Sequence, residues 1–181
     1  MWIDRVVELV PGERLVAIKN VSLAEEHLHD HFPGVPVMPG SLVLEGMAQS
    51  AGILVGHAGA FREKVILAKV TRAELDLDAE PGCQIRHTAE VSSLTPQGAS
   101  TRGTVELLTP GGGGHRPMGT VDLIFSHLDQ NMAGIDYPEH NFVFGEGFRM
   151  LLRSSGIEIP GESAEPGPRA AEHARPAVSP E

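Results

Sequence analysis

Residues 31–49 read HFPGVPVMPGSLVLEGMAQ, and this stretch decides the fold of the chain. It begins with a loop made rigid by three prolines and two glycines, which are Pro33, Gly34, Pro36, Pro39 and Gly40. An apolar run follows from Ser41 to about His57, and its apolar residues occupy nearly every side of a helical wheel. Such a run predicts a long helix buried inside the protein. Its polar exceptions, Ser41, Glu45 and Gln49, recur every four residues and predict one polar stripe along that helix.

Outward from this helix, the remaining segments alternate apolar and polar residues as strands do. They are Ile3–Leu9, Leu15–Val21, Val65–Leu77, Gln84–Leu94, Ser100–Thr109 and Met118–His127. Proline and glycine mark the turns between them, and the glycine-rich run 111–114 is interpreted as a hairpin connection. A phosphate-binding loop is not expected there, because neither a helix nor a lysine follows. The predicted fold class is α+β, a sheet of about six antiparallel strands wrapped around one long central helix.

The chain is expected to divide into three parts. Residues 1–130 form the main domain, with a short helical turn predicted over Ser22–His27. Residues 131–159 form a C-terminal extension that contains a weaker predicted helix over Glu146–Arg153. Residues 160–181 carry five prolines and no aromatic residue, so we expect a disordered tail.

Composition excludes several classes of function. Fourteen Lys and Arg against 24 Asp and Glu among 181 residues give a net charge of −10, which argues against binding nucleic acid. The single cysteine, Cys83, fits a reducing compartment. The longest apolar stretch, Leu42–Val55, is interrupted by polar residues and is too short to span a bilayer. We therefore expect a cytoplasmic protein with no membrane insertion.

The candidate chemistry lies in the rigid loop and the first turns of the helix. Glu45 is the only ionisable residue between Ser41 and Gly56, and a carboxylate on a buried helix needs a partner, which Gln49 can supply from the next turn. The loop can hold His31 in one place, and the N–H of Gly40 points outward where the helix begins. An imidazole, a carboxyl group and a free N–H suit proton transfer next to a carbonyl. The same polar stripe could instead line a contact between subunits.

A metal site is one interpretation of the cluster His27, His29, Asp30 and His31. Alternating histidines would share one face of a strand. No further ligand cluster is evident in the sequence, and the rigid loop already accounts for His31. No metal is therefore predicted.

The run from His31 to Gln49 closely resembles the 3-hydroxyacyl-[acyl-carrier-protein] dehydratases of the FabA/FabZ type, and FabZ more than FabA. A looser resemblance covers Ile3–His127 and implies the hotdog fold. By this resemblance His31 is the catalytic histidine, Glu45 is the catalytic acid, and the Gly40 N–H binds the thioester carbonyl. It also implies that the Val37 carbonyl holds the histidine and that Gln49 supports the acid.

The resemblance implies dehydration of (3R)-3-hydroxyacyl thioesters to trans-2-enoyl thioesters, without metal or cofactor. It also implies a homodimer in which each site is shared between two subunits, with a hexamer as the alternative assembly. The isomerising relatives carry Asp at the position of Glu45 and Cys at the position of Ser41. These two differences favour dehydration without isomerisation. The resemblance implies acyl carrier protein as the carrier of the substrate, and a coenzyme A thioester is the alternative. The sequence does not specify the length of the acyl chain. A docking patch could come from the basic residues Arg62, Lys64, Lys69, Arg72, Arg149 and Arg153. The alternatives are a hotdog acyl thioesterase and a catalytically idle dehydratase-like subunit.

Overall fold

The structure is a computed structural model and describes residues 1–76, 78–111, 113–128 and 140–162. Within these ranges the chain forms six strands and three helices. In chain order they are β1 (Arg5–Val10), β2 (Arg14–Asn20), α1 (His27–Asp30), α2 (Gly40–Ala58), β3 (Lys64–Leu75), β4 (Gln84–Thr95), β5 (Gly98–Leu108), β6 (His115–Leu128) and α3 (Glu146–Ser154).

The six strands form one antiparallel sheet in the order β1-β2-β4-β5-β6-β3. Tight connections join β1 to β2 and β4 to β5, while the chain between β2 and β3 crosses the sheet through α1 and α2. Leu108 of β5 pairs with His115 of β6, so the glycine-rich run does connect a hairpin. Gly112 within that run lies outside the described residues. The α+β class and the six antiparallel strands are confirmed.

Helix α2 lies across the sheet and contacts β2, β3, β4, β5 and β6. Its buried residues include Val43, Met47, Ala51, Leu54 and Val55, and they form the centre of the core. Ser41 and Glu45 are exposed instead, because the sheet covers only one side of the helix. The expectation of a helix buried on all sides, carrying a buried carboxylate, is therefore wrong for the single chain.

Strand β3 is an edge of the sheet and is exposed over most of its length, from Leu67 to Glu74. Its large apolar residues Leu67 and Val70 are exposed, as is Ile124 on the neighbouring strand β6. An open edge of this length with apolar side chains on it can pair with another chain.

The extension packs on the main domain at two places. The Asn141 amide nitrogen donates to the carbonyl oxygens of Phe61 and Glu63, at 2.9 Å each, and Phe144 packs against the Phe61 ring with centroids 4.8 Å apart. At the end of α3, the Ser155 hydroxyl accepts the Val6 N–H of strand β1 at 3.0 Å. The late helix is thus confirmed, one residue longer than predicted.

Two other sequence expectations meet the structure differently. The short helical turn lies at His27–Asp30, where it forms α1, while residues 23–26 form turns. Strand β3 ends at Leu75, and its expected last residue, Leu77, lies outside the described residues. Residues 129–139 and the tail from residue 163 also lie outside them. In the part of the chain that the structure describes, no helix is long and apolar enough to cross a membrane.

Candidate active site

The loop before α2 is shaped by a tight turn. The Val35 N–H donates to the Phe32 carbonyl at 2.8 Å, with Pro33 and Gly34 at the two central positions. Gly34 has a φ of 82°, so this is the geometry of a type II turn, which favours proline and then glycine at these positions. The turn directs the chain from the end of α1 back toward α2.

A second contact anchors the loop to the connection between β3 and β4. The Met38 N–H donates to the Ala79 carbonyl at 2.9 Å, and the Met38 side chain is fully buried. Pro39 then caps α2, and Gly40 is its first residue. The Gly40 N–H has no acceptor inside the helix, because the first N–H groups of any helix lack one. This loop therefore presents a backbone donor at the position that the sequence predicted.

His31 is exposed and immediately follows α1. Its backbone N–H donates to the His27 carbonyl at 3.2 Å, and its ring packs on the Phe32 ring with centroids 4.2 Å apart. Among the described residues, no hydrogen bond joins the His31 ring to the Val37 carbonyl. The role expected for Val37 therefore has no counterpart in the single chain, where the ring packs on Phe32 instead.

Glu45 lies on the exposed face of α2, one turn before Gln49. The Gln49 amide nitrogen donates to Glu45 Oε1 at 2.9 Å, so these two side chains of the polar stripe are in contact. The Gln49 amide oxygen in turn accepts the Trp2 backbone N–H at 2.8 Å. The carboxyl group is therefore held from one side and keeps its second oxygen available.

Partly exposed apolar side chains lie close to this polar stripe along the chain. Leu42 and Leu44 are half-buried on the same part of α2. Phe32 and Val35 in the loop are 50% and 56% exposed. Large apolar side chains exposed this close together are typical of a binding or subunit surface.

Beneath the helix, β4 contributes a buried histidine. The His87 side chain is inaccessible to solvent, and neither ring nitrogen has a hydrogen-bond partner among the described residues. This burial lowers the pKa of His87 to about 4, so the ring is neutral at neutral pH. A β-carbon at Gly46 would lie 2.7 Å from His87 Nε2 and 2.8 Å from the Trp2 carbonyl oxygen. Glycine at 46 therefore lets α2 pass close to both.

The histidine cluster considered for a metal adopts a different geometry. His27, His29 and Asp30 belong to helix α1 rather than to a strand, so alternating residues do not share a face. Within the described ranges, no group of three or more His, Cys, Asp or Glu side chains is arranged to hold a metal ion.

The basic residues expected to form a docking patch fall into three groups. Three of them form ion pairs inside the chain: Arg72 with Glu74, Arg149 with Glu162, and Arg153 with both Glu146 and Glu162. Lys64 is buried. Arg62 and Lys69 are exposed, and neither forms an ion pair with another described residue. These last two are the exposed cations of this set that are not already paired with a carboxylate of the described chain.

Three contributors to this site were not found by sequence reasoning. Trp2 and Ala79 act through backbone atoms, which leave no signature in residue type. His87 is a single histidine within a strand, which carries no functional signal in the sequence, and its complete burial follows from its place under α2. The only available signal was Gly46, a glycine in the middle of a helix, where it lowers helix stability and so suggests a close approach.

Comparisons with known proteins identify relatives of this chain. The chain is 46% identical over 89 residues to the 3-hydroxyacyl-[acyl-carrier-protein] dehydratase FabZ of Geobacter metallireducens, covering 48% of this chain and 59% of that protein. It is 42% identical over 95 residues to the FabZ of Symbiobacterium thermophilum, covering 52% of this chain and 67% of that protein. The chain thus spans about three fifths of the length of the first of these relatives.

Solved structures share the fold at low identity. One is the dehydratase heterocomplex ApeI:P from Xenorhabdus doucetiae, with a TM-score of 0.55, 16% identity and coverage of 72% of this chain and 84% of that one. Another is an acyl-CoA hydrolase mutant from Staphylococcus aureus, with a TM-score of 0.53, 18% identity and coverage of 84% and 92%. The family model of the FabA-like domain matches residues 1–105, which is more than half of the chain. The chain therefore has the hotdog fold and belongs to the FabA-like family.

Proposed function

We propose that this protein is a 3-hydroxyacyl-[acyl-carrier-protein] dehydratase, a hydro-lyase of fatty-acid or related acyl-chain biosynthesis. It would convert (3R)-3-hydroxyacyl thioesters reversibly to trans-2-enoyl thioesters. Membership of the FabA-like family and the FabZ relatives support this activity. The observation that carries it is the Glu45 carboxyl group, held by Gln49 at 2.9 Å on the exposed face of the helix that begins with the free N–H of Gly40.

Each group has a role in this reaction. His31 takes the proton from C2 of the substrate, which the thioester carbonyl acidifies. The Gly40 N–H donates to the carbonyl oxygen as negative charge builds there. Glu45 gives a proton to the departing 3-hydroxyl group, and Gln49 orients Glu45. Proton transfer completes the reaction without metal or organic cofactor, and Val37 remains a proposed support for His31.

A homodimer completes the proposed site. Glu45, Phe32 and Val35 are exposed in the single chain, and strand β3 offers an open apolar edge. A second copy that covers Glu45, Phe32 and Val35 would exclude water from the Glu45 carboxyl group. It would also bring His31 of one subunit to Glu45 of the other. Exclusion of water strengthens every charge interaction that the reaction uses. A hexamer built from three such dimers is the alternative assembly.

The proposed partner is acyl carrier protein carrying the acyl group, with a coenzyme A thioester as the alternative substrate. Because this chain has a net charge of −10, an acidic carrier needs a local basic surface for docking. Of Arg62, Lys64, Lys69, Arg72, Arg149 and Arg153, only Arg62 and Lys69 are exposed and form no ion pair with another described residue, so these two best suit that contact. We also propose a cytoplasmic location and the division into a hotdog domain (1–130), an extension (131–159) and a tail (160–181). The first residues of this tail are held to the extension by the ion pairs of Glu162 with Arg149 and Arg153, and residues 163–181 lie outside the described residues.

The test is hydration of a crotonyl thioester on both carriers. We expect His31→Ala and Glu45→Gln each to lower kcat about a thousandfold, because each removes a group that transfers a proton. His29→Ala and Glu80→Gln are matched controls, because they make the same changes at other exposed residues, and they should retain the parent activity. Size-exclusion chromatography of all four variants should give the elution volume of the parent assembly.

Three results would overturn the proposal. Parent-like hydration in either Glu45→Gln or His31→Ala would remove that residue from the mechanism. Release of free thiol from an acyl thioester, without hydration, would identify a thioesterase. A stable complex with a homologous active subunit, and no turnover by this chain on a panel of 3-hydroxyacyl thioesters of graded length, would identify an idle subunit.

A further inference from the structure

Two hydrogen bonds in series connect the N-terminal segment to the proposed acid. The Trp2 backbone N–H donates to Gln49 Oε1 at 2.8 Å, and Gln49 Nε2 donates to Glu45 Oε1 at 2.9 Å. A backbone N–H can only donate, so it requires the oxygen of the Gln49 amide. The amide nitrogen must then point toward Glu45. The orientation of this amide is therefore fixed by Trp2 rather than by Gln49 itself.

We propose that the backbone amide of Trp2 is a positioning group for Glu45, and that Oε2 is the carboxyl oxygen that delivers the proton. This inference rests on the proposed dehydratase function. Because Oε1 faces an N–H donor, a proton on Oε1 directed toward Gln49 would place two donors against each other. The acidic proton therefore resides on Oε2, the oxygen that Gln49 leaves available to the substrate.

Trp2 itself is held from several sides. Its indole ring packs edge-on against the His27 ring, with centroids 5.2 Å apart. The next residue, Ile3, is buried, and the Asp4 N–H donates to the Ile18 carbonyl of β2 at 2.7 Å. Gly46 leaves room for the Trp2 carbonyl beside α2. The Trp2 N–H is thus a fixed donor rather than a mobile chain end.

Loss of this donor would free the Gln49 amide to turn over. In the turned orientation the amide oxygen faces Glu45, where it repels the ionised carboxylate and accepts the proton of the neutral acid. The proton would then be directed to Gln49 instead of the departing hydroxyl group. This change affects the chemical step and leaves the substrate contacts in place, so kcat should fall while KM stays nearly constant.

A double-mutant cycle tests the connection. We expect Trp2→Pro, which has no N–H, to lower kcat about tenfold and to change KM by less than about twofold. Trp2→Phe keeps the N–H and should lose much less activity than Trp2→Pro. In the Gln49→Leu background the amide is already absent, so Trp2→Pro should lower kcat no further. A merely structural role of Trp2 would give the same additional loss in both backgrounds.

A second variant covers the case in which Trp2→Pro does not fold. Incorporation of the α-hydroxy analogue of tryptophan at position 2 replaces the N–H by an ester oxygen and keeps the ring, and it should reproduce the tenfold loss. The role of the Trp2 amide would be overturned if the effects of Trp2→Pro and Gln49→Leu were additive. It would also be overturned if Trp2→Pro and Trp2→Phe had equal kcat. In both cases an inactive Glu45→Gln variant would leave the dehydratase mechanism in place. An active Glu45→Gln variant would instead overturn the dehydratase mechanism, and the Trp2 proposal with it.

Discussion

His87 should make the stability of this protein fall as the pH is lowered from neutral. Its ring is inaccessible to solvent on β4, and burial lowers its pKa from 6.5 to about 4. The unfolded chain therefore binds a proton near pH 6.5, whereas the folded chain does so only near pH 4. Between these values the unfolded state holds more protons, so the free energy of unfolding decreases as the pH falls.

The size of this effect follows from the two pKa values. Each pH unit between 6.5 and about 4 corresponds to about 1.4 kcal/mol, so His87 alone removes about 3 kcal/mol of stability by pH 4. That is a large share of the 5–15 kcal/mol that is roughly typical of a folded domain. The full contribution is present above pH 6.5 and is lost through this window.

The perturbation is His87→Leu, which keeps an apolar side chain of similar size beneath α2. Urea unfolding followed by far-UV circular dichroism, at pH 7, 6, 5 and 4 and one protein concentration, gives the free energy of unfolding. Carboxyl groups that titrate in this range are common to both proteins and cancel in the difference. The parent should lose about 3 kcal/mol relative to His87→Leu between pH 7 and pH 4.

The control is His29→Gln, an exposed histidine of helix α1, which should follow the pH dependence of the parent. A difference between parent and His87→Leu that stays constant within about 0.5 kcal/mol from pH 7 to pH 4 would refute the reasoning. It would mean that the folded protein admits a charged His87, through water or through a partner group in the assembly.

Two further pairs of substitutions test the packing of α2 and of α3. Gly46→Ala should lower the free energy of unfolding by about 1–3 kcal/mol, because the added methyl group would meet His87 and the Trp2 carbonyl. At Gly52 an added β-carbon would lie 3.7 Å from a ring carbon of Phe125, so Gly52→Ala should raise the free energy of unfolding by up to about 1 kcal/mol. Urea unfolding measures both changes. Ser155→Ala should lower Tm by about 2–4 °C, because the Val6 N–H loses its acceptor. Ser154→Ala, which removes no contact to β1, should leave Tm within about 1 °C of the parent by differential scanning fluorimetry. Equal shifts for both members of either pair would contradict these assignments.

Sequence patterns predicted the elements well because each pattern is local. The apolar run after Gly40 predicted α2 within one residue at each end, since a 19-residue helix leaves a strong periodic signal. Strand ends were placed within three residues, because proline and glycine mark the turns. The i, i+4 spacing of Glu45 and Gln49 predicted a contact that the structure contains.

Whether the Glu45 side chain is buried or exposed could not be predicted from such a local pattern. A helical wheel shows which residues are apolar, but it does not show how many sides of the helix another layer covers. The sheet covers one side of α2 in the single chain, and Glu45 lies on the other.

The sequence by itself determined the helix, the strands, the rigid loop and the three polar residues of the helix stripe. Those features depend on backbone preferences and on the repeat of apolar residues, which a linear sequence contains in full. Tertiary structure decided what lies against them: the Trp2 amide on Gln49, the Ala79 carbonyl on Met38 and the buried ring of His87. These contacts join residues 41 or more positions apart, and two of them use backbone atoms that every residue has. Only the folded chain could bring them together.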